Sequence, residues 1–174
     1  MIRIAVIGGG AAGMMAAITA AEQGAAVTLL EPNERLGKKL NITGKGRCNV
    51  TNNADIETLM ANTPKNGKFL YSAFSKFDGR DAMAFFEKIG VPLKTERGNR
   101  VFPVSDKAQS ILDCLERELL HQKVTVRNEH VCRILCEDGV VTGVETDSQR
   151  ITASWVILAT GGLSYPSTGS TGDG

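Results

Sequence analysis

The feature that most constrains the fold is a glycine-rich turn between two apolar runs at the start of the chain. Residues 2–7, Ile-Arg-Ile-Ala-Val-Ile, are mostly apolar and rich in β-branched side chains, which is typical of a strand buried on both faces of a parallel sheet. Residues 8–13, Gly-Gly-Gly-Ala-Ala-Gly, follow and fit the pattern G-x-G-x-x-G. Residues 11–23 predict a helix ending at Gly24, and residues 26–30 predict a second strand. The chain therefore opens with a predicted βαβ unit.

The spacing of the glycines has a physical reason in a dinucleotide-binding turn. Gly8 allows the tight turn, Gly10 lets a pyrophosphate approach the backbone, and Gly13 lets helix and strand pack closely. Ala11 and Ala12 begin the helix, whose unpaired N–H groups and positive dipole end favour a diphosphate. Taken alone, the glycines are also compatible with a tight corner between strand and helix that binds no ligand.

Glu31 ends the second strand, 18 residues after Gly13. An acidic side chain at this place accepts hydrogen bonds from the adenosine ribose hydroxyls and disfavours a 2′-phosphate. Because strand, turn, helix, second strand and acidic residue follow one another in the order and spacing of a dinucleotide-binding unit, we expect a bound dinucleotide.

Composition narrows the class of partner. The 174 residues carry 20 Lys and Arg against 19 Asp and Glu, and this balance argues against nucleic acid. The uncharged run 4–21 is too rich in glycine and alanine for a membrane span or signal peptide, so we expect no membrane association. Four cysteines in a chain of this size indicate a reducing, cytoplasmic location rather than a disulfide scaffold.

The middle of the chain predicts a small helical and hairpin attachment, residues 54–105, after a long loop over residues 31–53. Residues 65–90 predict two helices, with one stripe formed by Phe69, Ala73 and Phe77. The other stripe consists of Ala82, Phe85, Phe86 and Ile89. Residues 93–104 predict a hairpin that turns at Gly98 and Asn99.

The last third of the chain predicts a helix followed by strands. Residues 106–122 form the helix, with Asp106 and Gln109 in capping-box spacing. Strands are expected at residues 124–126, 130–136, 140–146 and 151–158, with a turn at Asp138 and Gly139. The fold class is therefore α/β, a Rossmann-like domain with a parallel sheet, a β-meander and a helical attachment.

Three further segments carry a resemblance to a known family. They are Gly37-Lys38-Lys39 with residues 43–52 (Thr-Gly-Lys-Gly-Arg-Cys-Asn-Val-Thr-Asn), residues 100–105 (Arg-Val-Phe-Pro-Val-Ser), and residues 159–166 (Ala-Thr-Gly-Gly-Leu-Ser-Tyr-Pro). Together with the first motif they resemble the FAD domain of the BaiN-like, YhiN-like or aminoacetone-oxidase-like bacterial flavoproteins. The resemblance spans nearly the whole chain.

The resemblance implies bound FAD and assigns cofactor contacts to particular residues. Ala159, Thr160 and Gly161 would bring backbone close to the cofactor, and Val131 would lie beside the adenine. The other implied contacts are Gly37, Lys39, Arg47, Cys48 and Asn49, the last three near the flavin or its ribityl chain. Family members continue beyond Gly174, so the resemblance also implies an N-terminal part of a longer FAD-binding domain.

Several of these residues have plainer interpretations. The basic residues of this loop are also compatible with a loop that is simply solvated. A Walker A motif is excluded, because Gly46 follows Gly44-Lys45 where that motif has a Ser or Thr hydroxyl. Basic neighbours would favour a Cys48 thiolate, whereas filling space beside the flavin is the simpler role. His130, Cys132 and Cys136 lack paired C-x-x-C spacing, so buried thiols on a strand explain them better than a metal site.

The resulting prediction is an FAD-dependent oxidoreductase. Hydride would pass between a small organic substrate, for example an amine, or NAD(P)H and an acceptor through the flavin. No residue is assigned as catalytic. An NAD-dependent Rossmann dehydrogenase and a non-catalytic adenine-nucleotide module remain alternatives.

Overall fold

The computed structural model describes residues 1–163, 167 and 172, and ten strands and five α-helices are found in this part of the chain. In chain order they are β1 (Arg3–Ile7), α1 (Ala11–Glu22), β2 (Ala26–Leu30), β3 (Thr51–Asn52), α2 (Ile56–Ala61), α3 (Tyr71–Phe74), α4 (Gly79–Lys88), β4 (Leu93–Glu96), β5 (Arg100–Pro103), α5 (Ala108–His121), β6 (Thr125–Arg127), β7 (Val131–Glu137), β8 (Val140–Thr146), β9 (Arg150–Thr152) and β10 (Trp155–Leu158). Two 3₁₀ segments, Leu40–Gly46 and Gly67–Leu70, lie between them. No described helix is long and apolar enough to cross a membrane.

The chain divides into two units. The first consists of Met1–Leu40 together with the chain from Leu115 onward, and the second is Asn41–Cys114.

A parallel sheet with the order β10-β1-β2-β6 forms the centre of the first unit. Its register pairs Val6 of β1 with Leu29 of β2 and with Ile157 of β10. α1 packs its buried residues, among them Met14 and Ile18, against this sheet. Because β1 is apolar on both faces, it occupies an interior position of the sheet. The predicted βαβ unit is confirmed.

An antiparallel sheet with the order β7-β8-β9 completes the first unit. It turns at Asp138 and Gly139, which both have positive φ, as a two-residue hairpin requires. Val144 and Ala153 are buried in one cluster with residues of β1 and β2.

The prediction of one strand over residues 151–158 is wrong, because this segment contributes to both sheets. β9 pairs with β8, whereas β10 pairs with β1. Ala153 donates its N–H to Thr142 and Ser154 donates to Arg3, so the change of partner falls between these two residues.

The second unit contains the antiparallel sheet β3-β5-β4 and three short helices. The hairpin at Gly98 and Asn99 is confirmed, and both residues have positive φ. Asp78 and Asp81 form a capping box that fixes the start of α4. The stripe on α4 is confirmed in part, since Phe86 is buried and Phe85 meets it edge to face.

Two other predictions for the second unit are wrong. Phe69 and Phe77 are exposed, so their stripe does not form a core within the described chain. Asp106 does not complete a capping box with Gln109, because its carboxylate accepts hydrogen bonds from Arg47 and Lys94. The Gln109 side chain bonds instead to Asn41 and Asp113.

Candidate cofactor site

The three motif glycines have different surroundings in the turn after β1. Gly8 has a φ of +107°, and a Cβ at this position would clash with the carbonyl oxygen of Ala159. A Cβ at Gly13 would clash with the carbonyl oxygen of Gly8. Among the residues that the structure describes, none has an atom within 4 Å of a Cβ placed at Gly10. Gly8 and Gly13 are thus required by packing, whereas Gly10 faces open space at the helix N-terminus.

Glu31 connects the end of β2 to the glycine turn. Its Oε2 accepts the N–H of Gly9 at 2.7 Å, and its Oε1 accepts the N–H of Asn33 at 2.9 Å. The side-chain amide of Asn128 donates to the Glu31 carbonyl oxygen at 3.0 Å. A buried carboxylate held by backbone N–H groups therefore fixes this turn. The motif identified Glu31 but did not indicate its bond to Gly9.

A cavity of about 250 Å³ lies beside this turn in the first unit. Four of the predicted cofactor residues line it: Gly8, Glu31, Val131 and Thr160. Its other lining residues are Ile7, Pro32, His130, Cys132, Arg133, Ile134 and Leu158. The carboxyl ends of β1 and β10 meet here, which is where open α/β sheets bind ligands.

The remaining predicted residues of the first unit belong to the same turn or to the segment after β2. Ala11 and Ala12 are exposed at the start of α1, and Ala159 donates its N–H to Ile7 at 2.8 Å. Gly37 is buried and donates its N–H to Gly9 at 2.9 Å, and Lys39 is half-buried close by in sequence. Gly161 follows Thr160 with a φ of +80°. Ser164, Tyr165, Pro166 and the glycine-rich end, apart from residues 167 and 172, lie outside the described residues.

Arg47, in the second unit, is held by two carboxylates. Its guanidinium donates to Glu96 and to Asp106, and it lies 4.2 Å from the centre of the Phe102 ring. Lys94 also donates to Asp106, at 2.6 Å. The hydrogen bond from Arg47 lowers the pKa of Glu96, and those from Lys94 and Arg47 lower the pKa of Asp106. Sequence reasoning missed both acids, which are 49 and 59 residues away.

The loop that carries Arg47 has an unusual backbone. Gly44, Lys45, Gly46 and Cys48 all have φ between +57° and +82°. Cys48 is buried and donates its N–H to Thr43, and burial raises the pKa of its thiol. The idea that basic neighbours favour a thiolate is therefore wrong. The Asn49 amide, oriented to satisfy its neighbours, donates to the carbonyls of Thr51 and Val101.

The expectation of buried thiols at Cys132 and Cys136 is also wrong, since both are exposed. The Cys132 thiol donates to Asp147 at 3.0 Å, and this hydrogen bond raises the pKa of Cys132. His130 lies close to both, with ligand atoms of all three residues within 4.8 Å of one another. The sequence analysis considered His130 and Cys132 together. It missed Asp147, which lies 15 residues after Cys132.

The glycine turn, the acid after β2 and the cavity at the strand ends define a Rossmann nucleotide-binding domain of the flavoprotein oxidoreductase type. The chain belongs to the family described as "HI0933-like protein Rossmann domain", whose model matches residues 2–174. This confirms the resemblance drawn from the sequence.

Solved structures show the same fold. Thermovibrio ammonificans THI4 has a TM-score of 0.62 at 17% identity, over 96% of this chain and 60% of that chain. The Mycobacterium smegmatis Sdh1 complex in the apo form has a TM-score of 0.65 at 20% identity, over 94% of this chain and 35% of that chain.

Two curated relatives share sequence along nearly the whole chain. A 3-dehydro-bile acid delta(4,6)-reductase of Clostridium scindens is 40% identical over 100% of this chain and 42% of its own length. A ribosomal RNA dihydrouridine synthase of Escherichia coli is 30% identical over 95% of this chain and 40% of its own length. The chain thus spans about two fifths of these relatives. Since a relative is an enzyme of ribosomal RNA, the balanced charge gives no ground for excluding nucleic acid.

Proposed function

We propose that the protein is part of an FAD-dependent reductase that adds hydrogen to a carbon–carbon double bond conjugated with a carbonyl group. The observation that carries the cofactor part of this proposal is the turn at residues 8–13. Neighbouring backbone atoms leave no room for a side chain at Gly8 or Gly13. At Gly10, by contrast, space remains at the start of α1. That arrangement suits a diphosphate, which needs close backbone approach and unpaired N–H groups.

The residues of the first unit fit FAD in chemistry and position. The N–H groups of Ala11 and Ala12 would hold the diphosphate, and Glu31 would accept from the ribose while keeping its bond to Gly9. Val131 would lie beside the adenine, since it lines the cavity together with Glu31. Ala159, Thr160 and Gly161 would supply backbone at the end of β10. When bound, FAD supplies hydride transfer.

The proposed contacts of Gly37, Lys39, Arg47, Cys48 and Asn49 are supported to different degrees. Gly37 is tied to the glycine turn through Gly9. Arg47 is bound by two acids, so we propose that it fixes the shape of the loop of residues 43–48 rather than balancing a phosphate charge. Cys48 and Asn49 would support that loop as a neutral thiol and a bonded amide.

The reaction class is supported by the names of the curated relatives. A delta(4,6)-reductase and a dihydrouridine synthase both saturate a carbon–carbon double bond, which in each substrate is conjugated with a carbonyl. We therefore propose this electron-poor double bond as the reacting group, with NAD(P)H as electron donor and the cytoplasm as location. The earlier example of an amine substrate has no support from these relatives.

The test is cofactor identity. The purified protein is incubated with FAD, NAD or ADP and desalted, and its visible spectrum and released nucleotide are measured. We expect stoichiometric FAD, bleached by NAD(P)H under anaerobic conditions. A colourless protein that retains only ADP would support the non-catalytic nucleotide module, and retention of NAD alone would support the dehydrogenase.

A further inference from the structure

Three side chains of the types that bind transition metals meet at one end of the β7-β8-β9 sheet. The Sγ atom of Cys132 lies 3.0 Å from Oδ1 of Asp147. The Nδ1 atom of His130 lies 3.6 Å from Oδ2 of the same carboxylate and 3.8 Å from Sγ. A sulfur, a nitrogen and a carboxylate therefore face one another within a single small cluster.

The pairing of β7 with β8 brings these donor atoms together. Asp147, directly after β8, donates its N–H at 3.2 Å to the carbonyl oxygen of His130, directly before β7. Cys132 is the extra residue at a shift in register between Val131 and Arg133. A bulge of this kind re-aims the side chain that it carries. The backbone of two neighbouring strands thus fixes the place of all three residues.

The turn that carries Asp147 is held by a second carboxylate. Glu129 accepts hydrogen bonds from the hydroxyl of Thr146 at 2.6 Å and from the hydroxyl of Ser148 at 3.1 Å. It also accepts from the side-chain amide of Gln149 at 2.7 Å. These donors lie on both sides of the aspartate in sequence. The cluster is therefore supported from outside, as metal ligands are when surrounding hydrogen bonds orient them.

We propose that His130, Cys132 and Asp147 bind a divalent transition-metal ion of the zinc type. Zinc lies about 2.3 Å from sulfur and about 2.0–2.2 Å from nitrogen or oxygen, which places tetrahedral ligand atoms about 3.3–3.6 Å apart. The three distances in the cluster lie within about 0.3 Å of that range. Thiolate and imidazole suit zinc and its neighbours, whereas calcium and magnesium prefer oxygen ligands.

Binding changes the cluster in a defined way. The thiol of Cys132 releases its proton to solvent, and His130 coordinates as a neutral imidazole through Nδ1. Three protein ligands leave the fourth tetrahedral position to water or a small anion. The side chains of His130 and Asp147 are 52% and 68% exposed, so an ion reaches them directly from solvent. The bound ion would tie β7 and β8 together at this end of the sheet.

A surface cluster joined only by hydrogen bonds is the alternative. The sequence favoured thiols without a metal because paired C-x-x-C spacing is missing and burial was expected on the strand. The structure exposes Cys132 and adds Asp147 as a third ligand from another strand end. Convergence of three ligand types on one point is what a metal requires, and a hydrogen-bonded pair requires only two of them.

The experiment titrates Co²⁺ and then Zn²⁺ into purified, chelator-treated protein without FAD. We expect one Co²⁺ per chain, with a thiolate-to-cobalt charge-transfer absorption that Zn²⁺ removes by displacement and Mg²⁺ does not. Cys132→Ser should abolish this absorption. His130→Gln and Asp147→Asn should each weaken Zn²⁺ binding at least about 10-fold. In the wild type, Zn²⁺ should also protect Cys132 from a thiol-reactive dye.

Matched controls are Cys136→Ser, His121→Gln and Asp138→Asn. Each changes an exposed residue of the same type outside the cluster and should leave the metal affinity unchanged. Thermal melts of the metal-free variants confirm that each is folded, since the substituted side chains are all exposed.

Three outcomes would overturn the proposal. They are a charge-transfer absorption that survives in Cys132→Ser, equal Zn²⁺ affinity in the wild type and the three cluster variants, and labelling of Cys132 that Zn²⁺ does not slow. The proposal is independent of the proposed reductase, although His130 and Cys132 also line the cavity beside the glycine turn. FAD retention is therefore measured separately, and a protein that binds Zn²⁺ but no FAD would reject the reductase alone.

Discussion

Gly10 and Gly13 lie three residues apart in one turn, yet they respond differently to a side chain. The first faces open space, whereas the second lies against the backbone of Gly8. The sequence pattern predicted both glycines but could not separate a ligand-facing position from a packing position. That distinction depends on where Gly8 places its carbonyl oxygen.

The contrast predicts opposite results for two substitutions. Compared in the FAD-free state, Gly10→Val should melt at the wild-type temperature. It should not bind FAD, because its side chain would enter the space proposed for the diphosphate. Gly13→Ala should lower the melting temperature, because its Cβ clashes with Gly8. Thermal melts and flavin absorbance measure both effects. Normal FAD retention in Gly10→Val would reject the assignment of the turn.

The acids around Arg47 predict a defined pH dependence. The folded pKa values of Glu96 and Asp106 lie below their ordinary values of 4.5 and 3.8. Their contribution to stability is therefore fully present above about pH 5 and is lost as the pH falls through the lowered values. The urea midpoint of Arg47→Met should differ from that of wild type at pH 6, and this difference should shrink toward pH 3.

Arg150→Met is the matched control for this pH prediction. Among the described residues, Arg150 pairs with Glu145 alone, and its side chain is mostly exposed. Its effect at pH 6 should be smaller, since exposed single ion pairs contribute little. A difference for Arg47→Met that stays constant from pH 6 to pH 3 would show that ring contact with Phe102, rather than charge, accounts for it.

At the scale of elements, local pattern predicted much of the first unit. β2 and β8 have the predicted bounds, and α1 ends one residue early, because apolar runs with glycine boundaries are local signals. The Gly98 hairpin is equally local. The split between β9 and β10 was missed, since it is set by which distant strand each half pairs with.

The short helices of the second unit show what local sequence pattern cannot predict. α2 was not predicted, and the rings of the predicted stripe, Phe69 and Phe77, are exposed. Periodicity indicates which residues share a face but not what covers that face. The partners of Arg47 and Cys132 were missed for a related reason, because each lies on another strand or loop.

α5 offers a direct test of its assigned faces. Leu119 is 1% exposed and Leu120 is 78% exposed. Leu119→Ala should lower the free energy of unfolding by about 2–5 kcal/mol through lost burial and cavity formation. Leu120→Ala should change it by no more than about 0.5 kcal/mol. Denaturant unfolding measures both, and equal effects would mean that the helix is rotated.

For the whole molecule, the four cysteines give a count of accessible thiols. Cys48 and Cys114 are buried, whereas Cys132 and Cys136 are exposed. A thiol-reactive dye should label two groups in the native protein and four in denaturant. Cys132 should react more slowly than Cys136, because its hydrogen bond to Asp147 raises its pKa, and its rate should rise with pH.

Two substitutions check this assignment. Asp147→Asn should speed labelling of Cys132, because it removes the carboxylate that favours the protonated thiol. Cys136→Ser should remove the faster of the two native reactions. Labelling of all four thiols in the native protein would contradict the burial of Cys48 and Cys114.

The strand order has a consequence for biosynthesis. β1 pairs on one side with β2, which follows it closely, and on the other side with β10, which is translated about 150 residues later. The growing chain can form β1, α1 and β2 early, but one edge of β1 stays open until β10 leaves the ribosome. Since Ala159 reaches Gly8 only at that step, the nascent chain acquires its proposed cofactor turn near the end of this segment's synthesis.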